Sequence, residues 1–321
     1  MTTKTKEGFE IASSQDGIIF CLDMARTDRF FQGRIRQSML KSTNLGQPRK
    51  NSRKIKTNPM APVYHLKTEP GELAPYILTS GSADRISRLA SFFDTVRMER
   101  HNREYLTITG TYKGIPVTGL ATGIGAPPTV IAIVEALQCQ PQATFIRLGS
   151  CGGLQPHLQL GDLIISTRAL RHEFVTQFYA PPEVEASADP EVTAALTAAA
   201  RQLGAIYHTG LTCTAADFFH AQGRLAPGFA GLDVSLLSRL QAQGVLNLEM
   251  EMAVYFTLAR VCELPMRAGG CAAVFADRCR NTFISPADLA QAEELLCRVG
   301  LLAVEILAGQ ENSKTNFPPG I

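Results

Sequence analysis

The stretch at residues 144–162, TFIRLGSCGGLQPHLQLGD, limits the architecture more than any other, because an apolar run stops there at a turn of small residues. Phe145, Ile146 and Leu148 read as a strand buried on both faces, with Gly149, Ser150, Gly152 and Gly153 as the loop at its carboxyl end. Such a strand belongs in a sheet covered on both sides, the arrangement of α/β proteins. Arg147 interrupts the run. A buried guanidinium is costly unless an anion or a carboxylate meets it. Two readings follow: a structural Arg paired with an acid, or an anion site at a strand end, where ligands gather in open α/β sheets.

The 321 residues, 45% hydrophobic and 19% charged, can bury a sizeable core as one large domain or two ordinary ones. No run approaches the roughly 18 apolar residues of a membrane span, and GIIFCL at 17–22 ends at Asp23, against a signal-peptide core. A cytoplasmic protein with no membrane partner is expected. The eight cysteines (21, 139, 151, 213, 262, 271, 279, 297) contain no CxxC pair and read as reduced core residues. The six histidines show no HExxH spacing, so no metal site is expected. The net charge of +2 hides an asymmetry: residues 1–60 carry 12 Lys/Arg against 5 Asp/Glu, and the other 261 carry 19 against 24. A slightly acidic body argues against nucleic-acid binding.

In residues 1–60 no periodic apolar face lasts, and 41–56 is basic and rich in Asn, Ser and Gln, which predicts a mostly disordered extension. Residues 61–310 form the expected domain, and 311–321 a tail. Strands and helices alternate through it. The stretch at 75–81 predicts a strand running into a turn, after which Ser82 can cap a helix with Ile86, Leu89, Ala90 and Phe93 at helical spacing. YLTITGTY and IPVTGLAT, joined at Lys113 and Gly114, predict an antiparallel hairpin. GIGAPPTVIAIVEAL at 123–137 brings a helix amino end to the sheet. Strands follow at 162–167, IYHTGLTCT, 245–251 and MRAGGCAAVFA, with helices from Pro190 to Gly204, near 235–243, in MAVYFTLARVC, and at 286–308. The prediction is one α/β/α domain.

Three strand ends share a design. Gly81 can bring its amide against an anion, Arg85 lies in the first helical turn, and Arg147 and Ser150 add donors. Glu249, Met250 and Glu251 sit where a strand becomes a helix; a carboxylate there can accept from two neighbouring hydroxyls, as of a ribose, or be a surface acid at a helix amino end. Gln222 and Arg224 follow Phe218 and Phe219: a loop with a polar pair, or an amide and a guanidinium able to read the edge of a uracil with Phe219 stacked on its face.

Together these stretches resemble the nucleoside phosphorylases of the uridine phosphorylase type, from about residue 63 to 307. GSADR resembles their G-x-x-D-R phosphate turn, TGIGAPPTVIAIVEAL their T-G-I-G-x-P-S-x-x-I signature, FIRLGSCGGLQP and NLEME their phosphate and ribose turns, and FFHAQGR their F-x-x-x-Q-x-R base loop. The fold expected is a three-layer α/β/α sandwich with a central mixed, partly barrel-like sheet. The resemblance implies that phosphate meets Gly81, Arg85, Arg147 and Ser150, with Arg103 arriving from a neighbouring subunit. Ribose meets Met250 and Glu251, with His65 of the neighbour near its 5′ hydroxyl, and the base meets Phe219, Gln222 and Arg224. Arg85, Arg147 and Arg224 are the expected catalytic groups.

The implied reaction is reversible phosphorolysis of uridine to uracil and ribose 1-phosphate, with no cofactor and phosphate as co-substrate. The assembly implied is a homodimer or trimer of dimers with sites shared across the interface. The chain departs from the pattern in three places: one residue fewer between Phe219 and Gln222, Pro128 at the signature serine beside the retained Glu104 and Ile124, and Asp277 where pyrimidine relatives can carry Asn and purine relatives an acid. The alternatives are a purine nucleoside phosphorylase or a nucleosidase of the same fold, and a non-catalytic nucleoside-binding protein.

Overall fold

The computed structural model describes residues 61–231 and 233–315, preceded by four two-residue strands. Two compact units divide between Thr57 and Asn58. In the first, Thr3–Lys4 pairs with Glu10–Ile11 and Ser13–Ser14 with Gly17–Ile18, both antiparallel. Apart from these strands, the extension expected at 1–60 lies outside the described residues, as does 316–321.

The second unit is built on one mixed sheet of eleven strands. In chain order its elements are β1 (Tyr76–Ser80), α1 (Ala83–Ala90), β2 (Thr95–Asn102), β3 (Tyr105–Tyr112), β4 (Ile115–Ala121), α2 (Ala126–Cys139), β5 (Ala143–Gly153) and β6 (Leu163–His172). Then come β7 (Ala186–Ser187), α3 (Pro190–Gln202), β8 (Tyr207–Ala215), α4 (Leu236–Ala242), β9 (Val245–Glu249), α5 (Met252–Val261), β10 (Met266–Asp277), β11 (Thr282–Phe283) and α6 (Pro286–Thr315). The strand order is β11-β10-β6-β8-β9-β5-β1-β4-β3-β2, with β7 beside β6. A further parallel pairing of β10 with β5, running from Met266↔Ala143 to Asp277↔Gly153, closes five of these strands into a barrel. The remainder stays open.

Alternation along the strands decides what covers each face. Tyr76, Leu78, Ile146 and Leu148 pack with Ile86 and Leu89 of α1, Leu196 of α3 and Leu296 of α6. Ile77 and Phe145 point the other way, into a cluster with Val130 and Ile133 of α2 and Tyr255 and Phe256 of α5. The result is the expected three layers with a partly closed sheet between them. Helix starts follow local chemistry: Ser82 accepts from the Arg85 N–H, and Asp189, just before Pro190, accepts from the Glu191 and Val192 N–H groups.

Several expected boundaries shift. β5 does not stop at Gly149 but runs on to Gly153, because β10 pairs with it that far and β9 meets Gly152 and Gly153 from the other side. β6 reaches His172 for the same reason, its ladder with β8 continuing to Ala215. β9 ends at Glu249, and α6 extends past residue 308 to Thr315. β2 is an additional strand, TVRMERHN, paired only with β3; as an exposed edge it carries charge rather than apolar alternation. Among the described residues no helix is long and apolar enough to cross a membrane. Five of the seven described cysteines are buried, and all seven are free thiols.

Candidate active site

The carboxyl ends of β1, β5 and β9 and the far end of β10 surround a cavity of about 570 Å³. Gly81, Arg85, Arg147, Ser150, Met250, Glu251, Gln222 and Arg224 all line it. Phe219, Arg103 and His65 do not.

One end is built from arginines and carboxylates. Arg147 is almost fully buried, with Nε donating to Glu249 Oε2 at 3.1 Å and Nη2 to Glu251 Oε2. Its Nη1, equally buried, has no hydrogen-bond partner among the described residues. Carboxylates thus fix this arginine, as the structural reading expects, and one N–H group remains to be satisfied. Glycine 149 is what lets the guanidinium fold back along β5, since a Cβ there would stand 3.0 Å from Arg147 Nη2. Arg85 Nη1 donates to Ser80 Oγ at 3.0 Å and to the Leu148 carbonyl at 3.3 Å, while Nη2 pairs with Glu293 of α6 at 2.8 Å. Glu293 carries no motif that marks it in the sequence. The turns after β1 and β4 also meet here, because a Cβ on Gly81 would lie 3.0 Å from the Gly123 carbonyl oxygen.

Glu249 is the buried anchor of this end. It accepts from Thr214 Oγ1 at 2.5 Å, from the N–H groups of Glu251 and Met252 at 2.8 Å, and from Arg147. Burial pushes its carboxyl above the usual range; the nearby Glu251 charge acts the same way, and Arg147 opposes both. Glu251 bridges two elements, its Oε1 accepting from the Gly125 N–H at 2.5 Å, just ahead of α2, and its Oε2 from Arg147. Glu251 and Met250 both line the cavity.

The other end holds arginines without carboxylates. Arg224 lies over the Phe218 ring at 4.4 Å and the Phe283 ring at 5.2 Å. Its buried Nε has no partner among the described residues. Burial, and then the charge of Arg278, push its pKa down to about 10. Arg278 Nη2 donates to the Gln222 carbonyl at 2.9 Å, so a residue with no sequence signal braces the loop that carries Gln222 and Arg224. Phe218 lines the cavity where Phe219 was expected; Phe219 packs edge-on against it at 5.4 Å and turns its carbonyl to the Gln222 and Arg224 N–H groups. Asp277 does not line the cavity. Its carboxylate accepts from the Cys279 and Arg280 N–H groups at 2.8 Å and pairs with the Arg280 side chain.

His65 and Arg103 lie outside the cavity lining, on segments that Asn102 joins. The Asn102 side chain donates to the His65 carbonyl at 2.7 Å, and Arg103, at φ 55°, occupies the tight turn between β2 and β3. Glu104 of that turn lies close to Gly123, a Cβ on which would be 3.0 Å from Glu104 Cγ. The next residue, Ile124, lines the cavity and is nonetheless 72% exposed.

A sequence profile of the phosphorylase superfamily matches residues 75–306. The chain is 42% identical over 255 residues to a uridine phosphorylase of Thermococcus kodakarensis, covering 78% of this chain and 88% of the relative. It is 34% identical over 241 residues to the uridine phosphorylase of Escherichia coli, covering 72% and 92%. A guanosine phosphorylase of Halorubrum lacusprofundi is 31% identical over 201 residues, covering 63% and 78%. With the superfamily profile covering most of its length and relatives of this identity matched over most of theirs, the chain belongs to the phosphorylase superfamily.

Proposed function

We propose that this protein catalyses the reversible phosphorolysis of uridine to uracil and ribose 1-phosphate. The observation that carries the reading is Arg147 Nη1: a buried, positively charged donor without a hydrogen-bond partner among the described residues, on a residue that lines a cavity whose opposite end offers Gln222 and Arg224. Inorganic phosphate fits between Arg85, Arg147, Ser150 and the Gly81 amide. Glu251 and Met250 take the ribose, and Gln222 and Arg224 the uracil edge, with Phe218 and Phe219 forming the aromatic side of that loop.

In the reaction a phosphate oxygen forms a bond to C1′ as the bond from C1′ to N1 breaks, and the electron pair of that bond leaves on the uracil ring. Phosphate is the nucleophile, so no covalent intermediate with the protein is required. Its charge beneath C1′ favours the oxocarbenium-like transition state, and Arg224 and Gln222 stabilise the charge that builds on uracil. A purine substrate finds less support, because Asp277, the acid available to a purine base, is engaged in its own turn.

The site is shared between subunits of a homodimer or a trimer of dimers. Supporting this, His65 and Arg103 do not line the chain's own cavity, Asn102 ties their two segments together, and the cavity wall at Ile124 is exposed. Free cysteines fit a reducing cytoplasm. Uridine, thymidine and inosine incubated with and without phosphate test the whole reading. Uridine should be cleaved only with phosphate, yielding ribose 1-phosphate. Phosphate-independent release of uracil, faster turnover of inosine, or binding without turnover would each replace it with one of the alternatives.

A further inference from the structure

His65 and Glu135 form a cluster that the chain's own cavity does not use. Glu135, on α2 and 8% exposed, accepts the backbone N–H of His65 at 2.8 Å and that of Leu66 at 2.9 Å, and its Oε1 lies 2.6 Å from His65 Nδ1. Backbone N–H groups can only donate, so the carboxylate is the acceptor in this cluster, and the proton shared with the ring sits on Nδ1. In the neutral imidazole Nε2 then carries the lone pair. Tyr64 meets the ring edge-on at 4.8 Å and Tyr105 at 6.1 Å, while Asn102 ties the His65 carbonyl to the strand that leads into Arg103. The imidazole keeps a quarter of its surface exposed.

We infer that Glu135 is a positioning residue for the reaction: it fixes the orientation and the tautomer of His65 so that Nε2 accepts a hydrogen bond from the 5′-hydroxyl of the nucleoside in the partner's cavity. This rests on the shared-site reading above. Glu135 touches no substrate itself. The chemistry selects at the 5′ end, because a free hydroxyl has a proton to give, whereas a 5′-phosphate brings negative charge to a lone pair backed by a carboxylate.

The test compares kcat/KM for uridine and 5′-deoxyuridine in the parent, Glu135→Gln, His65→Ala and the double variant. Glu135→Gln keeps an oxygen for the backbone N–H groups while turning an NH₂ toward Nδ1. The parent should favour uridine by about ten-fold, the worth of one hydrogen bond in the transition state. His65→Ala should erase that preference, Glu135→Gln should remove most of it with the phosphate KM unchanged, and the double variant should be no worse than His65→Ala. Nitrogen-15 spectra of the parent should show His65 protonated at Nδ1. Retention of the preference in Glu135→Gln, an equal loss on both substrates, or a proton on Nε2 overturns the role of Glu135. Retention of the preference in His65→Ala instead removes His65 from the ribose, and with it the shared-site reading.

Discussion

The two ends of the cavity handle positive charge in opposite ways. At the phosphate end each arginine is already matched: Arg147 by Glu249 and Glu251, Arg85 by Glu293. At the base end Arg224 and Arg278 face aromatic rings and carbonyl groups, and neither makes a salt bridge among the described residues. On the proposed reaction, the difference follows from when charge arrives. Phosphate brings its charge into the ground state, so its site needs donors held in place rather than a large excess of positive charge, which would blunt the nucleophile. Uracil gains charge only as its bond to C1′ breaks, so an unmatched cation there acts mainly in the transition state.

The largest expected effect breaks the phosphate end. Arg147→Met removes one N–H donor set from the nucleophile and leaves two buried carboxylates facing each other. Turnover should fall by about 10²- to 10³-fold, and chemical denaturation should show a loss of about 3–5 kcal/mol at neutral pH, the usual cost of breaking a buried pair. The pH dependence has a definite sign. Burial already holds the Glu249 carboxyl above its ordinary value of 4.5. A carboxyl with a raised folded pKa contributes stability below its unfolded value and loses it as the pH rises through the folded one. Without Arg147 that rise is larger, so the deficit of the variant should shrink as the pH is lowered from 8 toward 5. A deficit independent of pH would mean that the two carboxylates do not depend on Arg147.

Arg224→Ala comes next, and it separates the two ends. It should lower kcat/KM for uridine by about 2–4 kcal/mol, the worth of a charge-assisted bond made in the transition state. The phosphate KM should stay within about two-fold of the parent, because Arg224 touches only the base end. A uridine bearing an electron-withdrawing group at C5 carries its own charge more easily, so its turnover should suffer less. Equal losses on both substrates would show that Arg224 binds the base without stabilising its departure.

Much of this contrast was legible in the sequence, and the illegible parts share a cause. GSADR, FIRLGS, NLEME and FFHAQGR each concentrate a function in a few adjacent residues, so Arg85, Arg147, Glu251, Gln222 and Arg224 could be chosen before their distances were known. Glu293 and Arg278 could not, because each acts across more than 50 residues of chain on a group that some other motif supplies. Which of Phe218 and Phe219 reaches the cavity is decided by local turn geometry that two adjacent identical residues cannot reveal. The resemblance implied a partly barrel-like sheet, but the residues that close it were hidden for a similar reason. GSCGG has the composition of a loop, and only its ladders with β9 and β10 make it strand.

The smallest expected effect concerns the same Arg224 in the resting protein, and its sign is the sharpest separation of the two ends. Burial and the Arg278 charge both disfavour the Arg224 cation, as the downward shift to about 10 records. A cation disfavoured in this way costs the folded state at neutral pH, where it is still charged, whereas the Arg147 cation is favoured by its two carboxylates. Arg224→Met keeps an unbranched, polarizable side chain against Phe218 and Phe283 while removing the charge. Because this part of the loop is partly solvated, the gain is small: stability should lie within about 0.5 kcal/mol of the parent, on the stabilising side. Parallel denaturation curves of Arg224→Met and Arg147→Met check it. A loss for Arg224→Met approaching that of Arg147→Met would mean that the base end, too, is held together by its arginine, and that the two ends do not divide the labour of charge between ground state and transition state.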